Sequence, residues 1–184
     1  MRTMIKRLRA KGEGDEGFTL IELLVVLLII GILLAIAIPT YLSVTSGAKK
    51  AAAQSNLNTA LTASKAFYTN NNGNYPSSAA TLVTALQSAG TSLQYTASAT
   101  TTSSSISVNP LNPNTVLLAA SDGSGTYCYY VADVEGATGD TALASNVSTA
   151  GTYWATTKSG SCTAASVPPG ATWTNSPTSS GTSG

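Results

Sequence analysis

Few side chains in this sequence are able to do chemistry. Among 184 residues there is no His, there are only two Cys, Cys128 and Cys162, and eight Asp+Glu stand against nine Lys+Arg. Without an imidazole the Ser/His/Asp and Cys/His routes to an activated nucleophile are closed, and two thiols are too few for a thiolate and imidazole zinc site. What remains is a scatter of carboxylates. Asp133, Glu135 and Asp140 gather in one Gly-containing stretch, but they lack the density of oxygen ligands that a calcium loop brings, so they read as a solvated loop. Glu22 stands alone inside an apolar run, with no second carboxylate nearby for acid/base work. No titratable constellation suggests catalysis, and the expectation is a protein that is not an enzyme and holds no cofactor or metal.

The surroundings of Glu22 carry more information. From Phe18 to Ile38 the chain has 21 residues, broken only by Thr19, Glu22 and Gly31, and Pro39 follows. As a helix this run is roughly 31 Å long, about the hydrocarbon thickness of a bilayer. It is apolar on every face, so it is no one-sided stripe lying on a soluble core; lipid or a bundle of identical helices is its natural solvent. A carboxylate near the edge of such a span costs up to roughly 2 to 3 kcal/mol, which calls for a partner. Five basic residues, Arg2, Lys6, Arg7, Arg9 and Lys11, precede the run, and two, Lys49 and Lys50, follow it shortly. The positive-inside rule then keeps the N-terminus in the cytoplasm and exports the rest. A secretory signal peptide fits poorly, because the run is long and ends in Ile38-Pro39-Thr40 without a small-residue cleavage site. A plain signal anchor fits length and flanks but leaves Glu22 unexplained.

Past Gly17 the basic residues are Lys49, Lys50, Lys65 and Lys158, against Glu22, Asp122, Asp133, Glu135 and Asp140. The body has no positive surface to neutralise phosphates, so no nucleic-acid partner is expected. Only 9% of the chain is charged, whereas it holds 24 Ser and 27 Thr, and the exported surface is therefore hydroxyl-rich.

The elements that must position these residues follow from periodicity. Leu57, Ala60, Leu61, Ser64, Phe67 and Tyr68 recur at helical spacing, Ala48 and Ala51 to Ala53 join them to the apolar run, and Asn70-Asn71-Asn72-Gly73 supplies a stop. Phe18 to about Tyr68 reads as one long helix whose outer half packs one stripe. A short helix is expected over Ser78 to Ala89, with a Ser cap and Gly90 as its stop. Leu93 to Thr96 and Ser105 to Val108 are short β-like pieces in a connecting region. Thr115 to Ala120, a turn at Ser121 to Gly125, and Thr126 to Val134, with Tyr127, Tyr129 and Val131 on one side, read as a hairpin. Gly151 to Thr157 is a third strand and Ser161 to Ser166 a candidate fourth. An antiparallel sheet laid on the amphipathic half of the helix gives an α+β body with one core.

Cys128 and Cys162 both lie on the exported side, so a disulfide is the default over two separate buried thiols; on chain entropy alone it adds about 3 to 4 kcal/mol. Asn146-Val147-Ser148 matches a glycosylation sequon, a short pattern that carries little weight by itself. The tail over residues 168–184 has few apolar anchors besides Trp173 and should be loose.

Gly17-Phe18-Thr19-Leu20-Ile21-Glu22, with a short basic leader before it and the long apolar run after it, resembles the prepilin cleavage and methylation motif of type IV pilins and pseudopilins. The resemblance covers the first 55 or so residues. It implies that a prepilin peptidase cuts the Gly17-Phe18 bond and methylates the new Phe18 amine. It also implies that Glu22 of one subunit neutralises the Phe18 amine of its neighbour and so sets the axial register of a filament. Gly31 and Pro39 fall where pilins often carry a helix-weakening Gly and Pro, which implies a stretch that is helical in the membrane and kinked or partly melted in the packed filament. A harmless kink at Pro39 is the plainer reading. In pilins a disulfide often pins the carboxy-terminal part to the sheet, and the spacing of Cys128 and Cys162 is similar.

The expected division is a cleaved leader (residues 1–17), a membrane and assembly helix (18–39), its amphipathic continuation (40–70), a connecting region with a short helix (71–114), the disulfide-bearing sheet (115–167) and the tail (168–184). The function implied is the structural subunit of an extracellular type IV pilus, made as a single-pass cytoplasmic-membrane precursor. Its partners would be further copies of itself, the prepilin peptidase, the assembly platform with its ATPase, and membrane lipid before assembly. A major pseudopilin of type II secretion shares the same amino-terminal residues, and Asn74-Tyr75-Pro76 leans that way. A minor pilin acting as adhesin or DNA-uptake subunit is the remaining alternative.

Overall fold

The computed structural model describes residues 17–136, 143, 147 and 149–176. Two helices and five strands follow one another: α1 (Leu20–Asn70), α2 (Ala79–Ser88), β1 (Gln94–Thr96), β2 (Ser105–Asn112), β3 (Thr115–Ser121), β4 (Tyr127–Val134) and β5 (Gly151–Lys158). The chain divides into two compact units, one ending at Ser43 and the other beginning at Val44.

In the first unit the described residues form a helix and nothing that covers it. Each large apolar side chain from Phe18 to Leu42 is at least 45% exposed. Among the described residues, α1 is the one helix long and apolar enough to cross a membrane. It runs through Gly31 and Pro39 without a break. Pro39 has no N–H to offer the carbonyl of Ala35, and the hydroxyl of the adjacent Thr40 donates to the carbonyls of Ile36 (3.0 Å) and Ala37 (2.9 Å).

The second unit is α+β. Its five strands lie side by side in chain order, β1-β2-β3-β4-β5, antiparallel except for the β1 and β2 pair. The stripe expected on the outer half of α1 is the one buried: Ala53, Leu57, Ala60, Leu61 and Ser64. With Leu82 and Leu86 of α2, it packs on the sheet face formed by Ile106, Val108, Val116, Leu118, Tyr129, Val131 and Trp154. Helix α1 ends as the Asn/Gly run dictates, with Asn72 (φ 54°) and Gly73 (φ 70°) in the left-handed region and the Gly73 N–H donating to the Tyr68 carbonyl at 3.0 Å.

Several expectations need correction. The body has two cores instead of one: the opposite sheet face carries Leu117, Ala119, Cys128, Tyr130, Ala132 and Tyr153, covered by Leu143, Val147, Ala164 and Trp173. Strand β3 is accordingly buried along its whole length, the mark of a strand covered on both faces. The stretch 168–176, expected to be loose, is docked. Trp173 is buried in the second core, and Thr174 exchanges two backbone hydrogen bonds with Trp154 at 2.7 and 3.0 Å.

Ser161 to Ser166 is no fourth strand of a ladder. It makes one isolated bridge, between Cys162 and Thr100, while the Ala164 N–H is taken by the Ser107 hydroxyl at 2.9 Å, so its backbone groups are satisfied without a neighbouring strand. The short β-like piece expected over Ser105 to Val108 is longer, the full eight-residue strand β2. It contains Pro110, which sits beyond the short β1 pairing at Ser105 to Ser107, on an edge where no partner strand asks for its N–H. Ser78 occupies the N-cap position of α2 in extended conformation, but its side chain makes no capping hydrogen bond.

Candidate functional site

The start of α1 is organised by two side chains. Thr19 stands just ahead of the helix. Its N–H donates to Glu22 Oε2 at 3.0 Å and its hydroxyl donates to the same oxygen at 2.8 Å, while the Glu22 N–H donates back to Thr19 Oγ1 at 3.3 Å. This is a reciprocal capping box, which satisfies backbone donors that a helix start otherwise leaves open. The acidic group also sits well at the positive end of the helix dipole. Glu22, expected to need a partner from outside, thus has one in its own chain. The signal, Thr-x-x-Glu before an apolar run, was present in the sequence, and reading Glu22 for its charge alone passed over it.

Gly17 and Phe18 precede the helix and are exposed, Phe18 at 89%. A side chain at Gly17 or Gly31 would meet nothing within 4 Å, so the chain's own packing does not explain a glycine at either place. The leader before Gly17 lies outside the described residues.

Cys128 of β4 and Cys162 are joined by a disulfide with their Cα atoms 5.3 Å apart, and both are buried in the second core. It ties the segment after β5 to the start of β4, and through the Cys162 to Thr100 bridge to the chain ahead of β2 as well.

The acidic run resolves differently from expectation. Asp133 is no solvated loop residue: it lies in β4, on the face turned to α1 with Tyr129 and Val131, and is fully buried. The reason is pairing. Lys65 Nζ approaches Asp133 Oδ1 at 2.7 Å and Glu135 Oε1 at 3.3 Å, the Tyr75 hydroxyl donates to Asp133 Oδ2 at 3.0 Å, and the Thr152 hydroxyl donates to Oδ1 at 3.3 Å. A buried carboxylate so furnished escapes the penalty of an unpaired one. Burial works against the Lys65 ammonium, but hydrogen bonding to Asp133 and its charge, then Glu135, prevail and raise its pKa. Burial above all, and then the charge of Asp133, push the Tyr75 phenol up, so Tyr75 stays a donor. Asp140, and the Asn146 and Ser148 of the sequon, lie outside the described residues.

Residues 14–38 match the family model described as the prokaryotic N-terminal methylation motif. Over 54 residues the chain is 48% identical to the type IV major pilin protein PilA of Myxococcus xanthus (strain DK1622). That match takes in 29% of this chain and 24% of the relative's length, so the chain spans about a quarter of the curated relative it matches. No solved structure matches the chain. The chain is thus similar to a type IV pilin in its methylation motif, and a long apolar helix followed by a five-stranded sheet is consistent with that similarity.

Proposed function

We propose that this chain is the structural subunit of a type IV pilus. In this reading it is made as a precursor with the basic leader in the cytoplasm, α1 in the cytoplasmic membrane and the sheet exported. Prepilin peptidase cuts between Gly17 and Phe18 and methylates the Phe18 amine. The assembly platform and its ATPase then move the subunit from lipid into a helical homopolymer, where apolar helices pack against one another and the hydroxyl-rich sheets face outward. Glu22 pairs with the Phe18 amine of a neighbour and sets the stagger, since any other stagger leaves two charges unpaired among apolar side chains. Gly31 and Pro39 give α1 a stretch able to bend or unwind as it passes from lipid into the packed filament.

The observation that carries this reading is an apolar helix uncovered on every side, with one carboxylate held at its start within the methylation motif. Such a surface is stable only in lipid or against copies of itself. A major pseudopilin is the second reading, favoured by Asn74-Tyr75-Pro76.

Electron microscopy of filaments sheared from the producing cells, with mass spectrometry of their main protein, separates the two. Long filaments whose subunit begins at N-methylated Phe18 support the pilus. Processed chain retained in the envelope without long filaments supports the pseudopilin, and an uncut Gly17-Phe18 bond overturns both. Glu22→Gln should leave the subunit in the membrane and abolish filaments.

A further inference from the structure

Asp133 is a carboxylate at a position where the alternation of β4 calls for an apolar side chain. Its partners come from separate parts of the fold: Lys65 from α1, Tyr75 from the segment after α1, and Thr152 from β5. Tyr75 is held at its backbone too, its N–H donating to the Pro113 carbonyl at 2.7 Å, and its ring lies 5.0 Å from that of Tyr68. One ammonium therefore serves two carboxylates, Asp133 and Glu135, and Asp133 is the buried one.

We propose that Lys65, Tyr75 and Asp133 form a clasp that alkali releases. With the ammonium in place the set holds the outer half of α1 and the Tyr75 segment on the sheet. Once Lys65 gives up its proton, Asp133 is a buried anion without a countercharge, and Glu135 loses the cation it shared with it. The buried carboxylate then gains by reaching water, which it does only if α1 and the Tyr75 segment part from β4. The clasp stands on these contacts whether or not the chain forms filaments.

The direction of the pH effect follows from the pairing. Lys65 and Tyr75 both have folded-state pKa values above their ordinary ones. The stability they contribute is complete below those ordinary values, about 10.4 and 10, and is lost as the pH climbs through the raised ones. Other tyrosines, Tyr95, Tyr129 and Tyr130, are raised as well, mainly by burial, so alkali weakens the fold in general and the clasp must be read as a difference.

The test is thermal unfolding of the full chain in detergent micelles, followed by circular dichroism at pH 8 and pH 11.5, for the wild type, Lys65→Arg and the double variant Lys65→Met with Asp133→Val. Arginine keeps its charge at both pH values, and replacing a buried ion pair by apolar side chains is often neutral, so both variants should melt near the wild type at pH 8. At pH 11.5 the wild type should lose roughly 3 °C or more beyond what either variant loses, the shift expected of about a tenfold change in the folding equilibrium of a chain this size. Equal losses in all three overturn the proposal. Should the double variant fail to fold, Lys65→Arg alone decides.

Discussion

Helix α1 contains two regions that share a backbone conformation and little else. Up to Ser43 every face is apolar and no side chain is buried; from Val44 on, hydroxyls, amides and lysines take three sides, and the stripe from Ala53 to Ser64 is buried against the sheet. The comparison separates helix formation from helix stability. Local propensity and a capped start suffice to make the helix in both regions. Among the described residues, only the second region finds packing partners, and the first finds none.

This contrast predicts that substitutions weigh very differently on either side of Ser43. The largest effect is expected far from α1: Trp173→Ala empties the second core and should cost about 3 to 5 kcal/mol in denaturant unfolding of the micelle-bound chain, whereas a loose tail would lose nothing. Reducing the Cys128 to Cys162 disulfide should cost about 3 to 4 kcal/mol by the same measurement, because a loop of this length is closed in the unfolded chain. Leu57→Ala should cost about 3 kcal/mol, while Leu27→Ala, the same change on the uncovered stretch, should leave the unfolding of the sheet unit within about 0.5 kcal/mol of wild type. Equal effects at the two leucines would break the comparison. Thr19→Ala should act only locally, loosening the first turn of α1 by about 1 kcal/mol, seen as faster hydrogen exchange of the amides after Leu20, with Thr19→Ser restoring protection.

Much of this organisation was legible before any coordinates. The apolar run, the stripe at Leu57, Ala60 and Leu61, the Asn/Gly stop and the β3 and β4 hairpin all rest on periodicities of 3.6 or 2 and on turn residues, which act within a few positions of chain. The cysteine pair needed only an exported compartment and the count of two. Legibility failed where a residue's meaning depends on a distant neighbour. That Tyr130, Ala132 and Val134 belong to a second core was not legible, because nothing local announces that Leu143, Val147, Ala164 and Trp173 pack over them. Asp133 read as a loop acid because its cation is 68 positions earlier in the chain. The capping box at Thr19 and Glu22 was within reach, being a pattern of four residues.

The sequence by itself thus determined that the chain has an apolar helix long enough for a membrane, with one carboxylate near its start, and continues into an α+β body. Tertiary structure alone decided that the sheet is covered on both faces, that Trp173 is a core residue, and that a buried aspartate ties α1 to β4. The physical reason is range: helix and strand patterns are settled by neighbours in the chain, whereas burial of a tail or a charge is settled by groups that only the completed fold brings within a few ångströms.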